Sequence, residues 1–245
     1  MCGHATGNVS DYVLEAVKNG FEVIGISDHG ITPRGFLRPY MDEAALKYYL
    51  EEIDAAKKEF PQIKILKGLE NEFFRNNDSF YRNLLSKLDY LILGVHYYND
   101  DMSFYQKSSF KIKNQENLLK YRDLAVKGIE SGFFKIIAHP DVFMMEYPSW
   151  DETAIQVSND IINACIKHNV LIEVNAQGIR KGKRDEFGKP LYPNENFFKI
   201  VKEKNAKVII GSDCHRPTYL NDESFKAALE FAQTLGLKVE EELKL

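Results

Sequence analysis

The sequence predicts an α/β fold in one domain that spans residues 1–245. Short apolar runs alternate with amphipathic helical patterns along the whole chain, which is typical of parallel sheets covered by helices. The 245 residues and 44% hydrophobic content allow one large core, and α/β barrels reach this size as single domains. No internal repeat, low-complexity tract or Pro/Ser-rich linker divides the chain.

Six apolar runs are candidate parallel strands. Each run is too short for a typical helix and is rich in Ile, Val, Leu or aromatic residues. They cover residues 21–26, 63–66, 90–95, 133–138, 170–174 and 208–210.

Helical patterns fill most of the intervals between these strands. They cover residues 8–19, 42–59, 114–131, 153–168, 194–205 and 222–236. The first can be capped by Asn8 or Ser10 and ends at Gly20, and the second stops at Pro61. Two long polar segments, 99–113 and 178–193, fit neither period, and we expect them to be loops over a site.

The bulk composition excludes several classes of protein. A net charge of −4 gives no general attraction to nucleic acid or to an anionic membrane. Cys2, Cys165 and Cys214 are an odd number at irregular spacings, which indicates a reducing compartment rather than a disulfide framework. No apolar stretch approaches the roughly 20 residues that cross a bilayer, and no leader pattern opens the chain. We therefore expect a cytoplasmic protein without a membrane or nucleic-acid partner.

Histidines and carboxylates follow five of the six predicted strands. They are His29, Glu70, His96, His139, and Asp213 with His215. The carboxyl ends of strands in a parallel barrel converge on one mouth, so we expect these side chains to meet. Imidazole nitrogen and carboxylate oxygen suit zinc, manganese or iron, and a bridging carboxylate can hold two ions. The pattern predicts hydrolysis by metal-activated water.

A single histidine after a strand has a simpler explanation. It caps a strand end or hydrogen-bonds a neighbouring group more often than it binds a metal. The joint placement of these residues favours the metal site. His168, in the last turn of a helical pattern, is explained by the helix dipole alone.

Seven short motifs carry a family resemblance across nearly the whole chain. They are Cys2-Gly3-His4-Ala5, Ser27-Asp28-His29, Gly68-Leu69-Glu70, Gly94-Val95-His96, Ala138-His139-Pro140-Asp141, Glu173-Val174-Asn175 with Gly178-Ile179-Arg180, and Gly211-Ser212-Asp213-Cys214-His215. In this order they resemble the polymerase-and-histidinol-phosphatase (PHP) family, and most closely its histidinol-phosphatase branch. The resemblance implies a distorted seven-stranded (β/α) barrel of the PHP type.

The resemblance also implies up to three divalent metal ions, which are zinc, manganese or iron. Glu70 would bridge two ions, and His96 and His139 would complete one of them. His4, His29 and His215 would hold a third ion. Asp213 would reach the ion that Glu70 shares, so Glu70 and Asp213 are also the expected catalytic residues.

One part of the family pattern is not found. The family's first motif, a His-x-His pair ending the first strand, should lie just before Cys2, and six predicted strands are one fewer than seven. We therefore expect the first strand to be absent or truncated, with two ligands missing beside Glu70 and Asp213. Either the start was assigned at an internal methionine, which the retained downstream ligands favour, or the protein is an impaired relative. An upstream reading frame encoding a strand that ends in His-x-His would distinguish the two.

A phosphate monoester needs cations to bind it. The segment 180–184 is the densest basic cluster, and within it Arg180 matches a family motif, so we expect Arg180 and Arg184 to bind substrate. For Lys181, Lys183 and Arg184 a solvated basic loop explains the charges equally well. Weaker candidates are Arg34, Arg38 and Arg216. The aromatic residues in and beside 99–113 form either a lid or part of the barrel rim.

The resemblance implies a specific substrate, L-histidinol phosphate, hydrolysed to L-histidinol and phosphate in histidine biosynthesis. From the residues alone, the partner is a small phosphomonoester of unspecified structure. A nucleotide or sugar phosphate is the alternative substrate, and a non-catalytic metal-binding protein is the alternative class. Nuclease activity is disfavoured by the acidic balance. The sequence leaves the oligomeric state and the metal open.

Overall fold

Parallel strands form the framework of the computed structural model, which describes residues 3–33, 40–99 and 107–245. One 7-stranded sheet has the order β1-β2-β3-β4-β5-β6-β7, with every neighbouring pair parallel. The strands are β1 Val23–His29, β2 Lys64–Asn71, β3 Tyr90–Leu93, β4 Ile136–Ile137, β5 Leu171–Asn175, β6 Lys207–Gly211 and β7 Lys238–Val239. The predicted parallel α/β fold is confirmed.

Helices connect the strands and cover the sheet. They are α1 Val9–Lys18, α2 Glu43–Glu59, α3 Asp78–Leu85, α4 Gln115–Glu130, α5 Glu152–His168, α6 Ala176–Arg180, α7 Glu195–Glu203 and α8 Glu223–Leu235. Side-chain caps fix several of their starts: Asn8 closes a capping box on α1, and Asp42 caps α2. No helix in the described ranges has the length and apolar character needed to cross a bilayer.

Three elements of the structure were not predicted from the sequence. Helices α3 and α6 are short, at 8 and 5 residues. Strand β7 contains only two residues, Lys238–Val239, so no apolar run announces it. The seventh strand is therefore a C-terminal one that the count of six overlooked. Within the described ranges no hydrogen-bonded ladder joins β1 to β7, so the sheet does not close into a complete barrel between these two strands.

The alternation of strand side chains divides the core into two parts. On β2, Ile65 belongs to the large cluster between sheet and helices, while Leu66 belongs to a small cluster on the other face. The small cluster contains Leu66, Tyr90, Ile136, Leu171 and Leu243. The concave side of the sheet is therefore filled at one level by apolar side chains, and polar residues gather beyond the carboxyl ends of the strands.

Candidate metal centre

All seven predicted metal ligands line one cavity of about 250 Å³. They are His4, His29, Glu70, His96, His139, Asp213 and His215. His29 ends β1 and Glu70 lies near the end of β2, while the others follow β3, β4 and β6 or come from the N-terminal segment. Since all the strands run parallel, their carboxyl ends bring these residues to one place. Their service as metal ligands stays a prediction.

Glu70 lies between two groups of histidines. Its Oε1 atom is 3.3 Å from His96 Nε2 and 3.2 Å from His139 Nε2. Its Oε2 atom is 3.3 Å from His29 Nδ1. Burial alone would raise the pKa of Glu70, but the neighbouring imidazoles outweigh burial and hold that pKa well below its usual range. Glu70 is thus an ionised carboxylate with one oxygen facing each group.

The site has two halves. The inner half consists of Glu70, His96 and His139, and the outer half consists of His4, His29 and His215. In the outer half, one ligand atom from each histidine lies within 4.8 Å of the others, and the same is true of His29, Glu70 and His96. The His139 side chain is 4% exposed, whereas that of His215 is 34% exposed.

Several buried polar atoms in the site have no hydrogen-bond partner. They include His29 Nδ1, Glu70 Oε1 and His139 Nδ1. The imidazole nitrogens near Glu70 Oε1 are close enough for attraction, yet their orientation does not make hydrogen bonds. A buried polar atom without a partner costs free energy, which coordination to a cation would recover. The donor set of imidazole and carboxylate therefore fits zinc, manganese or iron.

The pKa values of His96 and His139 in the inner half shift in the opposite direction to those of His4 and His29 in the outer half. Burial would lower the pKa of His96, but Glu70 and Glu72 outweigh it and hold that pKa well above its usual range. In His139 the same opposition, with Glu70 as the main partner, leaves the pKa raised. Burial lowers the pKa of both His4 and His29. Without metal, His96 and His139 therefore hold a proton more tightly than His4 and His29 do.

A buried carboxylate and an amide support two of the predicted ligands. Glu173 Oε2 accepts hydrogen bonds from the backbone N–H of His139 at 2.9 Å and from Asn175 Nδ2 at 2.9 Å. Asn175 Nδ2 also donates to Asp213 Oδ2 at 3.0 Å. His139 and Asp213 have positive φ angles of 32° and 43°, which are costly for residues with a side chain. These hydrogen bonds hold both residues in that conformation.

The supporting roles of Glu72 and Glu173 were not predicted from the sequence. Glu72 lies two residues beyond Glu70, and its Oε1 atom is 2.7 Å from His96 Nδ1. Glu173 lies two residues before Asn175 on β5. Because alternate residues of an extended chain point the same way, the patterns Glu-x-Glu and Glu-x-Asn were the available signals.

Arg180 lies outside the residues that line the cavity. Its guanidinium donates to both Asp222 oxygens, at 2.8 and 2.9 Å, and to Gln177 Oε1, Ser212 O and Tyr219 O. All five N–H groups of the side chain are thus used, and none is left for a phosphate in this arrangement. The expected substrate contact of Arg180 is not formed here and stays a prediction.

Arg184 is exposed and donates weakly, at 3.4 Å, to the carbonyl of Gly188 within its own loop. It does not line the cavity either. Lys181, between the two arginines, does line it, and its Nζ lies 4.6 Å from the centre of the Phe110 ring and 5.7 Å from that of Tyr192. The basic segment therefore turns Lys181 towards the site. Arg216 packs on the Tyr219 ring instead.

Part of the predicted aromatic loop contacts the site. Phe110 stacks on His96, with ring centres 6.2 Å apart and planes at 12°. Tyr97, Phe110 and Tyr192 line the cavity, as does Tyr40. Cys2, Arg34 and Arg38, and residues 100–106 of the loop, lie outside the described residues. Among the described residues, Cys165 and Cys214 are free thiols.

Comparison with known proteins supplies the family. The model of the PHP domain matches residues 1–177. A probable histidinol-phosphatase of Deinococcus radiodurans is 26% identical over 226 residues, covering 89% of this chain and 84% of that protein. The histidinol-phosphatase of Bacillus subtilis is 26% identical over 245 residues, covering 88% and 90%.

A solved structure shares the fold. The crystal structure of histidinol phosphate phosphatase from Lactococcus lactis, complexed with zinc, L-histidinol and phosphate, aligns with a TM-score of 0.72 at 19% identity. The alignment covers 96% of this chain and 90% of that one. The chain belongs to the PHP domain family, as its ordered motifs and its parallel strands with polar carboxyl ends indicate.

Proposed function

We propose that this protein is a metal-dependent phosphomonoesterase that hydrolyses L-histidinol phosphate to L-histidinol and phosphate. The observation that carries the proposal is the position of Glu70, whose two carboxylate oxygens face His29 on one side and His96 with His139 on the other. Relatives of similar length named histidinol-phosphatase support the choice of reaction.

The inner half would hold one ion through Glu70, His96 and His139, and the outer half would hold another through His4, His29 and His215. When bound, divalent ions supply Lewis-acid chemistry that activates water near neutral pH and neutralises charge on the phosphoryl oxygens. Asp213 has one oxygen bound to Asn175, and its other oxygen is 3.7 Å from His215 Nδ1. In this proposal, that second oxygen would accept a hydrogen bond from the attacking water and orient it.

Lys181 is our candidate for the cation that binds the phosphate. Its Nζ is in the same cavity as Asp213 and Glu70, whose charges raise its pKa, although burial outweighs them and leaves the pKa lowered. The Phe110 and Tyr192 rings beneath it restrict the flexible side chain by cation–π contact. The Lys181 ammonium group forms no described ion pair with a carboxylate, so it is available to attract the phosphate.

Aromatic side chains around the cavity suit a flat organic group on the phosphate. Tyr40, Tyr97, Phe110 and Tyr192 line the cavity. An imidazole ring stacks well on such faces. This surrounding supports histidinol phosphate over a sugar phosphate, which offers no aromatic ring.

The test is turnover by the purified protein of L-histidinol phosphate, a nucleoside monophosphate and a sugar phosphate. The protein is stripped with a chelator and then supplied with zinc, manganese or iron. We expect phosphate release to need metal and kcat/KM to be highest for L-histidinol phosphate. His139→Asn should abolish release, while the matched control His168→Asn, on α5 away from the site, should retain it. Preference for the nucleotide, or release that survives metal removal, would contradict the proposal.

A further inference from the structure

Glu72 is a buried carboxylate beside the site that does not line the cavity. It follows the last residue of β2, and its side chain is 5% exposed. No lysine or arginine contacts it among the described ion pairs. A charge in such a place is retained only when hydrogen bonds satisfy it.

His96 provides most of those hydrogen bonds. Its Nδ1–H donates to Glu72 Oε1 at 2.7 Å, and its backbone N–H lies 3.1 and 3.2 Å from the two carboxylate oxygens. The Tyr40 hydroxyl also donates to Oε1, at 2.9 Å. One carboxylate therefore holds both the ring and the backbone of His96.

This arrangement determines which nitrogen of His96 is available. Because a carboxylate only accepts, the proton of a neutral His96 lies on Nδ1 and the lone pair lies on Nε2. Nε2 is the atom 3.3 Å from Glu70 Oε1, at the centre of the inner half. We propose that Glu72 is a positioning residue that makes His96 an Nε2 ligand of the inner-half ion, an inference that rests on the proposed metal-dependent function.

The other inner histidine lacks this kind of support. His139 Nδ1 is buried without a hydrogen-bond partner, so its ring orientation depends on packing and on Glu70. Without Glu72, the Nδ1 atom of neither inner-half imidazole would be hydrogen-bonded to a carboxylate. Groups that orient a ligand histidine typically contribute about 10–100-fold to metal affinity.

Tyr40 allows the positioning role to be separated from a merely structural one. Tyr40→Phe removes one hydrogen bond from Glu72 and leaves its contacts with His96 intact. Glu72→Ala removes all of them. Glu72→Gln removes the charge but keeps an oxygen that accepts from His96 Nδ1–H.

The experiment measures zinc affinity by competition with a chelating dye, and the state of His96 by 15N NMR of the zinc-loaded protein. For Glu72→Ala we expect about 10–100-fold weaker binding of one class of ions. Glu72→Gln should lose less zinc affinity than Glu72→Ala, and Tyr40→Phe should bind zinc with the affinity of the wild type. In the wild type, the His96 signals should show a protonated Nδ1 and a zinc-bound Nε2.

Three results would overturn the inference: wild-type zinc affinity in Glu72→Ala, an equal loss in Tyr40→Phe, or zinc on Nδ1 of His96. If Glu72→Ala does not fold, Glu72→Gln and the wild-type NMR spectrum still decide the matter. Turnover of L-histidinol phosphate is no part of this test. A failure of the proposed substrate would therefore leave the zinc result standing, and the reverse also holds.

Discussion

The two halves of the site are built differently although both consist largely of imidazoles. In the inner half, carboxylates accept hydrogen bonds directly from the predicted ligands: Glu72 accepts from the His96 ring, and Glu173 accepts from the backbone N–H of His139. In the outer half, His215 Nδ1 lies 3.1 Å from the carbonyl oxygen of Asp213 and 3.7 Å from its carboxylate, and His4 is exposed.

Support for the outer half is indirect. Thr6 N–H donates to the carbonyl of His215 at 2.9 Å, which joins the segment containing His4 to the one that follows β6. Arg180 donates to the carbonyl of Ser212 and is itself held by Asp222. The inner half is therefore preorganised by its own hydrogen bonds, whereas the geometry of the outer half depends on the position of two chain segments.

The largest effect should come from Glu70, which the two halves share. Because a metal ion supplies several kcal/mol of transition-state stabilisation, Glu70→Gln should lower kcat/KM by about 1000-fold or more. Zinc binding in both halves should weaken as well, which dye competition measures. Glu203→Gln, at an exposed position of α7, is the matched control and should behave as wild type. A Glu70→Gln variant that loses ions from one half only would show that the carboxylate does not bridge.

Lys181 tests whether the phosphate is bound on the inner side, where Phe110 stacks on His96. A charge-assisted hydrogen bond contributes about 1.5–3 kcal/mol, so Lys181→Met should raise KM roughly 10–100-fold with a smaller change in kcat.

The pH dependence of kcat/KM is a second test of the role of Lys181. Burial lowers the pKa of Lys181, so the ammonium loses its proton, and the phosphate its partner, below the pH at which an ordinary lysine titrates. We expect kcat/KM to fall as pH rises through this lowered pKa. Lys181→Arg should keep its charge and remove the alkaline fall. An identical alkaline limb in wild type and Lys181→Arg would exclude Lys181 as the cation.

Graded removal of metal should separate the halves. We expect chelator to take the outer ion first, with an affinity at least about tenfold weaker than that of the inner ion, because hydrogen-bonded ligands hold their geometry better. Metal analysis after each step measures the order. His215→Ala should abolish the weak class and leave the tight one. Simultaneous loss of all ions from the wild type would show that the halves are one cooperative site.

The smallest effect should come from the pair that supports the outer half from behind. Asp222 accepts two hydrogen bonds from Arg180 and caps α8, so Asp222→Ala should lower the free energy of unfolding by about 1–3 kcal/mol. Asp222→Asn keeps the cap and should lose less.

The contribution of the Arg180–Asp222 ion pair to stability should depend on pH. Burial alone would raise the pKa of Asp222, but Arg180 outweighs it and lowers that pKa. Its contribution is therefore present at neutral pH and is lost as pH falls through the lowered value. Chemical denaturation from neutral to acid pH measures this loss. The difference between wild type and Asp222→Asn should shrink in acid, and a constant difference would mean that the pair adds no charge-dependent stability.

The sequence predicted the parallel fold and the meeting of the ligand-type residues because both depend on patterns within short segments. Strand β1 and His29 are one example: an apolar run indicates the strand, and the residue at its end indicates the site. Strand β7 could not be found in this way, since two residues carry no periodicity. Its place is set by pairing with β6, which is a tertiary contact.

The basic segment shows the limit for side-chain roles. Arg180 and Lys181 are neighbours, and their charge alone does not indicate which of them turns towards the cavity. Helix α6 places Arg180 against Asp222 and Lys181 over Phe110, and both partners are distant in sequence. The Glu-x-Glu pattern places the Glu72 side chain on the same side as that of Glu70, but it does not indicate the contact of Glu72 with the His96 ring.

Gly211 ends β6 and is the register partner of Asn175 on β5. A methyl group built on its Cα would lie 1.7 Å from Glu173 Oε1. Glu173 hydrogen-bonds to the backbone of His139 and to Asn175, which in turn hydrogen-bonds to Asp213. A side chain at position 211 would displace Glu173 and would therefore disturb the positions of both His139 and Asp213. A side chain at position 211 would therefore disturb the cavity even though every predicted ligand is still present.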